Sequence, residues 1–141
     1  MKKSAVPLLF LMLLAVHIAH VFEEVWGRFQ PLERIFGLFW FLALNWILLA
    51  VPMTIFFFVL MKKRSAYVLG AIYAGLMACN GLGHNIALAA TGRYFGGFAG
   101  AVSGVPMIIL GLLLLRALLE ERRTIVLRRK PSPSGPPQAW R

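Results

Sequence analysis

Two histidines and two glutamates fall within eight residues near the start of the chain: His17, His20, Glu23 and Glu24. Imidazole nitrogens and carboxylate oxygens are ligands for Zn²⁺ and for non-haem iron. The same groups also exchange protons in acid–base catalysis. On a helix, at ~100° per residue, His17 taken as 0° puts His20 near 300°, Glu23 near 240° and Glu24 near 340°. All four share an arc of ~120°, and His17, His20 and Glu24 one of ~60°. They converge on one side of the helix.

Further along, Asn80 and His84 are four residues apart and so share a helix face, with Asn85 beside them. Asn45 and Ser103 are isolated polar residues in two other apolar runs. Counted from the same end of each run, His20, Asn45, His84 and Ser103 lie about five to seven residues in, or roughly 10 Å deep at ~1.5 Å per residue. The pattern marks His17, His20, Glu24 and His84 as candidate metal ligands and Glu23 and Glu24 as candidate catalytic carboxylates. Asn45, Asn80, Asn85 and Ser103 are candidate members of the same pocket.

The elements that carry these residues are four apolar runs, Val6–Trp26, Leu38–Met61, Ala66–Ala90 and Phe98–Leu118. Each has about the 20 residues a helix needs to cross ~30 Å of hydrocarbon. None shows the polar outer stripe of a soluble bundle. Hydrophobic residues make up 60% of the 141-residue chain and charged residues 14%, which excludes an ordinary soluble domain. The first run follows Lys2 and Lys3 but lacks an Ala-x-Ala cleavage pattern, so it reads as a retained helix and not a signal peptide. The expected fold is therefore all-α, a membrane bundle of four transmembrane helices.

Location makes each polar residue worth explaining. A charged side chain in hydrocarbon costs about 2.5 kcal/mol or more on insertion scales. Taken singly, Glu23 and Glu24 lie near enough to the interface to be solvated, and His20 and His84 can simply bond helices together. Taken as a set at one depth, they point to a shared polar pocket.

The net charge of +10 is clustered between the runs and not spread along an amphipathic face, and no nucleic-acid motif is present. Twelve of the fifteen Lys and Arg residues fall on one set of ends: Lys2, Lys3, Lys62, Lys63, Arg64, Arg116, Arg122, Arg123, Arg128, Arg129, Lys130 and Arg141. Only Arg28, Arg34 and Arg93 fall on the other. The positive-inside rule then puts both termini in the cytoplasm, in the cell membrane (the inner membrane of a bacterium). Residues 1–120 form the transmembrane domain. Residues 121–141 form a basic, Pro-rich cytoplasmic tail expected to be disordered from Pro131 onward. The tail's basic cluster is a topology signal that also suits anionic membrane lipid.

Small residues recur every four positions at Gly75, Cys79 and Gly83 and at Gly96, Gly100 and Gly104, a spacing that lets membrane helices pack closely. Cys79, the one cysteine, reads as a packing residue, and no disulfide within the chain is possible.

The string His20-Val21-Phe22-Glu23-Glu24 reads H-x-x-E-E. It resembles the motif of the HXXEE family of small bacterial membrane proteins. The segment Asn80-Gly81-Leu82-Gly83-His84-Asn85, then Thr91-Gly92-Arg93-Tyr94, Gly97 and Pro106, is similar to that family's later part. The resemblance covers the first and third helices and the loop into the fourth, and excludes the tail after about Leu118. It implies a shared polar site at His20, Glu23, Glu24 and His84. It implies no biochemical activity.

Three functions fit such a pocket. A mononuclear zinc or iron site would take His17 or His20, Glu23 or Glu24, and His84, and leave a position for water in hydrolytic or lipid-modifying chemistry. There is no H-E-x-x-H motif, a di-iron bundle needs two E-x-x-H motifs and more carboxylates, and three histidines are too few for a His-rich hydroxylase. A metal-free acid–base enzyme on an apolar substrate would use Glu and His alone. A carrier or interaction protein would use them as a proton relay or as helix contacts, and a transport path through so few helices requires a homo-oligomer.

Overall fold

The computed structural model describes residues 4–28 and 30–127, and all their regular structure is helical. Helix α1 spans Val6–Trp26. Pro7 lies in its first turn, where a missing N–H leaves no bond unmade. Its buried residues are Val6, Phe10, Leu13, Leu14, His17, His20 and Glu24. The spacing of three and four makes one stripe, apolar in the first half of the helix and ionisable in the second.

Helix α2 spans Gln30–Leu60 and is broken at Gly37, whose φ of 74° and ψ of 159° are not helical. The segment long and apolar enough to cross a membrane, Arg34–Leu60, includes that break, and the apolar run expected from the sequence starts just after it at Leu38. It is the most exposed of the four helices, with Trp40, Trp46 and Ile47 on its surface. Helix α3 spans Arg64–Thr91 and α4 spans Ala101–Leu127, joined through a wide turn at Tyr94–Phe98. Each of the four is long and apolar enough to cross a membrane.

The chain runs up and down. Ser4 Oγ and Tyr67 Oη both donate to Glu121, the latter at 3.1 Å, so the starts of α1 and α3 meet the end of α4. At the opposite end Gly96 N donates to the Gly27 carbonyl at 2.8 Å, tying the α3–α4 turn to the end of α1. Between them, Phe10, Leu13, Tyr67, Met107, Leu114 and Leu118 form the core of the half nearer Ser4.

The most extensive helix pair is α3 with α4. It is built on backbone contact: a Cβ at Gly81 would lie 2.4 Å from the Gly104 carbonyl oxygen, and one at Gly111 2.7 Å from that of Ala74. The α3 residues at this seam are Ala74, Ala78 and Gly81, while the Gly75, Cys79, Gly83 stripe, whose partner the spacing leaves open, lies elsewhere on the helix. A Cβ at Gly75 or Gly83 meets nothing within 4 Å, and Cys79 is exposed. Two small-residue stripes lie side by side on α3, and among the described residues the flanking one is the stripe that packs against α4.

The fourth run also needs correction. Gly96 and Gly100 have φ of +67° and +106°, so they belong to the turn and only Gly104 of that stripe is helical. Helix α4 starts at Ala101 and not at Phe98. It continues to Leu127, past the domain boundary expected at residue 120, aided by the Arg116–Glu120 pair at 2.7 Å one turn apart. The tail expected to be disordered from Pro131 lies outside the described residues.

Candidate metal centre

The ionisable half of the α1 stripe presents His20 and Glu24 to the α3–α4 pair, where His84 of α3 faces them. Glu24 Oε1 lies 3.1 Å from His84 Nε2 and 3.5 Å from His20 Nε2. The two imidazole rings meet edge to face with centroids 4.8 Å apart. The three residues are 1–6% exposed, and their ligand atoms all lie within 4.8 Å of one another. Bonds of ~2.0–2.2 Å to a tetrahedral zinc would place neighbouring ligand atoms roughly 3.3–3.6 Å apart; the two Glu24–imidazole separations are close to this, while the histidine pair lies within 4.8 Å and would draw together on an ion.

Two neighbours orient His20. The Ser103 hydroxyl donates to the Gly100 carbonyl at 3.3 Å, and its oxygen accepts from His20 Nδ1–H at 2.8 Å. In that tautomer Nε2 carries the lone pair. Asn80 Nδ2 lies 3.1 Å from that atom and donates to it, a bond that a cation held there would replace. The lone pair of His20 and the carboxylate of Glu24 thus face each other at 3.5 Å, an arrangement that a cation stabilises.

The backbone roofs the site. A Cβ at Gly100 would lie 2.6 Å from His20 Cε1 and 2.9 Å from His84 Nδ1, at a φ that side chains rarely adopt. Only glycine lets the chain pass this close to both rings.

Glu23 turns elsewhere. Its Oε1 accepts from Tyr94 Oη at 2.5 Å and from the backbone N–H groups of Gly100 and Val102 at 3.0 Å each. Its Oε2 accepts from Ser103 N at 2.8 Å. The carboxylate therefore satisfies the unpaired amides at the start of α4, where the helix dipole also favours an anion. Burial and the adjacent Glu23 carboxylate push the Tyr94 hydroxyl up to about 12.

The other expected pocket residues divide. Asn80 and Ser103 join His20, Glu24 and His84. His17 is buried one turn away, with Nδ1 3.2 Å from Tyr73 Oη, outside the three-residue cluster. Asn85 donates to the carbonyls of Gly81 and Ala101 at 2.9 and 3.0 Å, clamping α3 to the start of α4. Asn45 donates to the Phe41 carbonyl of its own helix and lines a separate cavity between α1 and α2.

Sequence reasoning missed three contributors: Tyr94, Tyr73 and the roofing Gly100. Tyr94 falls in the Thr91-Gly92-Arg93-Tyr94 string singled out in the sequence, which was the one available signal. Tyr73 and Gly100 look like ordinary membrane-helix residues until the partner helix is in place.

No family model, curated protein or solved structure matches the chain.

Proposed function

We propose that this chain is a multi-pass protein of the cell membrane, with cytoplasmic termini, that holds one divalent cation in its outer half. The ligands are His20 Nε2, Glu24 Oε1 and His84 Nε2. The observation that carries the reading is one buried carboxylate oxygen within 3.1 and 3.5 Å of two imidazole nitrogens from different helices. Two imidazoles and a carboxylate are a donor set for zinc or iron(II). The shared polar site that the H-x-x-E-E resemblance implies agrees with it, and the order of basic residues along the sequence supports the cytoplasmic termini.

A bound ion would offer a free position to water or to a polar group on a lipid, which is the chemistry of hydrolysis or lipid modification. The chain's own residues have separate duties in this reading. Ser103 holds the His20 tautomer, Asn80 flanks the nitrogen that faces Glu24, and the Gly100 backbone closes the site. Glu23 anchors α4 and is not assigned proton transfer.

A second reading is metal-free proton exchange between Glu24 and His84 on an apolar substrate. The 3.1 Å separation supports it too, being a hydrogen-bond length. Metal content of the detergent-purified protein separates the two. Near-stoichiometric zinc or iron, lost in Glu24→Gln, supports the metal centre. A folded, metal-free wild type transfers the weight to proton exchange.

A further inference from the structure

On the other side of α1 from the histidine cluster lies a cavity of about 510 Å³. Its volume is within the roughly 300–1,000 Å³ of ligand pockets. Val21, Phe22 and Val25 of α1 form one wall, and Leu42, Asn45 and Trp46 are on the α2 wall. Val21 and Val25 directly follow His20 and Glu24, so the cavity and the candidate centre share one helix and one depth. Below the cavity α1 and α2 are in contact through Phe10 and Phe56, whose ring centroids are 5.2 Å apart. Pro52, which cannot donate to the preceding turn, sits in α2 between the two levels.

Two features separate this cavity from an ordinary crevice between helices. No charged side chain lines it among the described residues, so an ionised headgroup has no counter-charge there. Asn45 places an amide in otherwise apolar surroundings, and its one hydrogen bond among the described residues is from Nδ2 to the Phe41 carbonyl at 2.9 Å. The carbonyl oxygen and the second N–H of that amide are left for a ligand, and inside hydrocarbon an unanswered amide is costly. A hydroxyl both donates and accepts, so a single one answers either group.

We infer that this cavity binds a neutral lipid bearing one hydroxyl group on an apolar body, with the hydroxyl on Asn45. The inference rests on the cavity alone and not on the metal reading. The lipid enters sideways from the bilayer between α1 and α2, and its hydroxyl reaches the depth of the histidine cluster.

The test uses the full chain in phosphatidylcholine nanodiscs with a long-chain alcohol carrying a photoreactive diazirine. Labelled peptides are mapped by mass spectrometry. Label is expected on the α1 and α2 segments around Val21 and Leu42, saturable and competed by the unlabelled alcohol. Asn45→Leu should weaken labelling about fivefold, the value of one ordinary hydrogen bond. Leu42→Trp, which fills the cavity and leaves the amide in place, should abolish it even where Asn45→Leu folds poorly. Equal labelling by a diazirine alkane without the hydroxyl would overturn the inference, as would undiminished labelling of both variants. Metal content measured on the same wild-type nanodisc sample keeps the two readings apart. Failure of lipid labelling with metal retained sinks only the lipid site, and labelling without metal sinks only the metal centre.

Discussion

Glu23 and Glu24 are consecutive, yet the first accepts four hydrogen bonds around the start of α4 and the second faces His20 and His84. The ~100° turn between them sends one carboxylate to hold the scaffold and the other into the candidate centre. Their substitutions should therefore fail in different ways.

Glu23→Gln keeps the shape but removes the charge and turns an N–H₂ toward amide donors. It should lower stability by about 1–3 kcal/mol, the range for lost charged hydrogen bonds. Glu24→Gln should leave the fold near wild type and abolish metal binding. Thermal unfolding in detergent, run beside metal analysis for both variants, reads the two effects. Equal stability of the two proteins would contradict the division of labour.

Gly100→Ala drives a Cβ to within 2.6 Å of His20 and strains a φ of +106°. A loss of about 1–3 kcal/mol is expected from the backbone alone, with displaced imidazoles in addition. Gly75→Ala is the matched control, since its Cβ meets nothing within 4 Å. It should leave the unfolding temperature unchanged. Similar behaviour of the two alanine variants would mean that the roof over the histidines is misplaced.

These glycines also show what was legible in the sequence. Helical spacing put His20 and Glu24 on one face, where the structure has them together; Glu23, expected to converge with them, turns instead to the start of α4. Run length located four helices. The loop before the fourth run was legible, but its continuation through Gly100 was not, because hydropathy is blind to φ and a glycine every four residues looks the same in a helix as in a turn. Asn45 shares the depth of His20, but depth is one coordinate, and nothing in the chain states how α2 is rotated about its axis. The same blindness applies to α3, where either small-residue stripe could have met α4.

Ser103→Ala removes the acceptor that holds His20 Nδ1–H. The ring keeps its packing and loses its fixed tautomer. Metal affinity should fall about 10–100-fold, as for other residues that orient a ligand, with little change in unfolding temperature. Ser103→Thr should restore most of it. A competition titration with a zinc chelator measures the affinities, and an unchanged affinity in Ser103→Ala would remove Ser103 from the site.

Tyr94 predicts a pH dependence. Its hydroxyl is raised from the ordinary value near 10 to about 12 by burial and by Glu23. A group whose folded pKa is raised contributes stability that is full below its unfolded value and is lost as pH climbs through the folded one. Tyr94→Phe should therefore be less stable than wild type at neutral pH. The gap between them should close as pH rises from about 10 to about 12. Unfolding temperatures of both proteins across that range check the sign, and a gap that widens with pH would contradict it.

The most direct test of the central claim is X-ray absorption at the metal edge of the zinc-loaded, detergent-purified protein. The account predicts nitrogen and oxygen neighbours at ~2.0–2.2 Å and the outer-shell scattering of two imidazoles, with that signal halved in His84→Ala. A shell containing sulfur, or one of oxygen alone with no imidazole scattering, would contradict it.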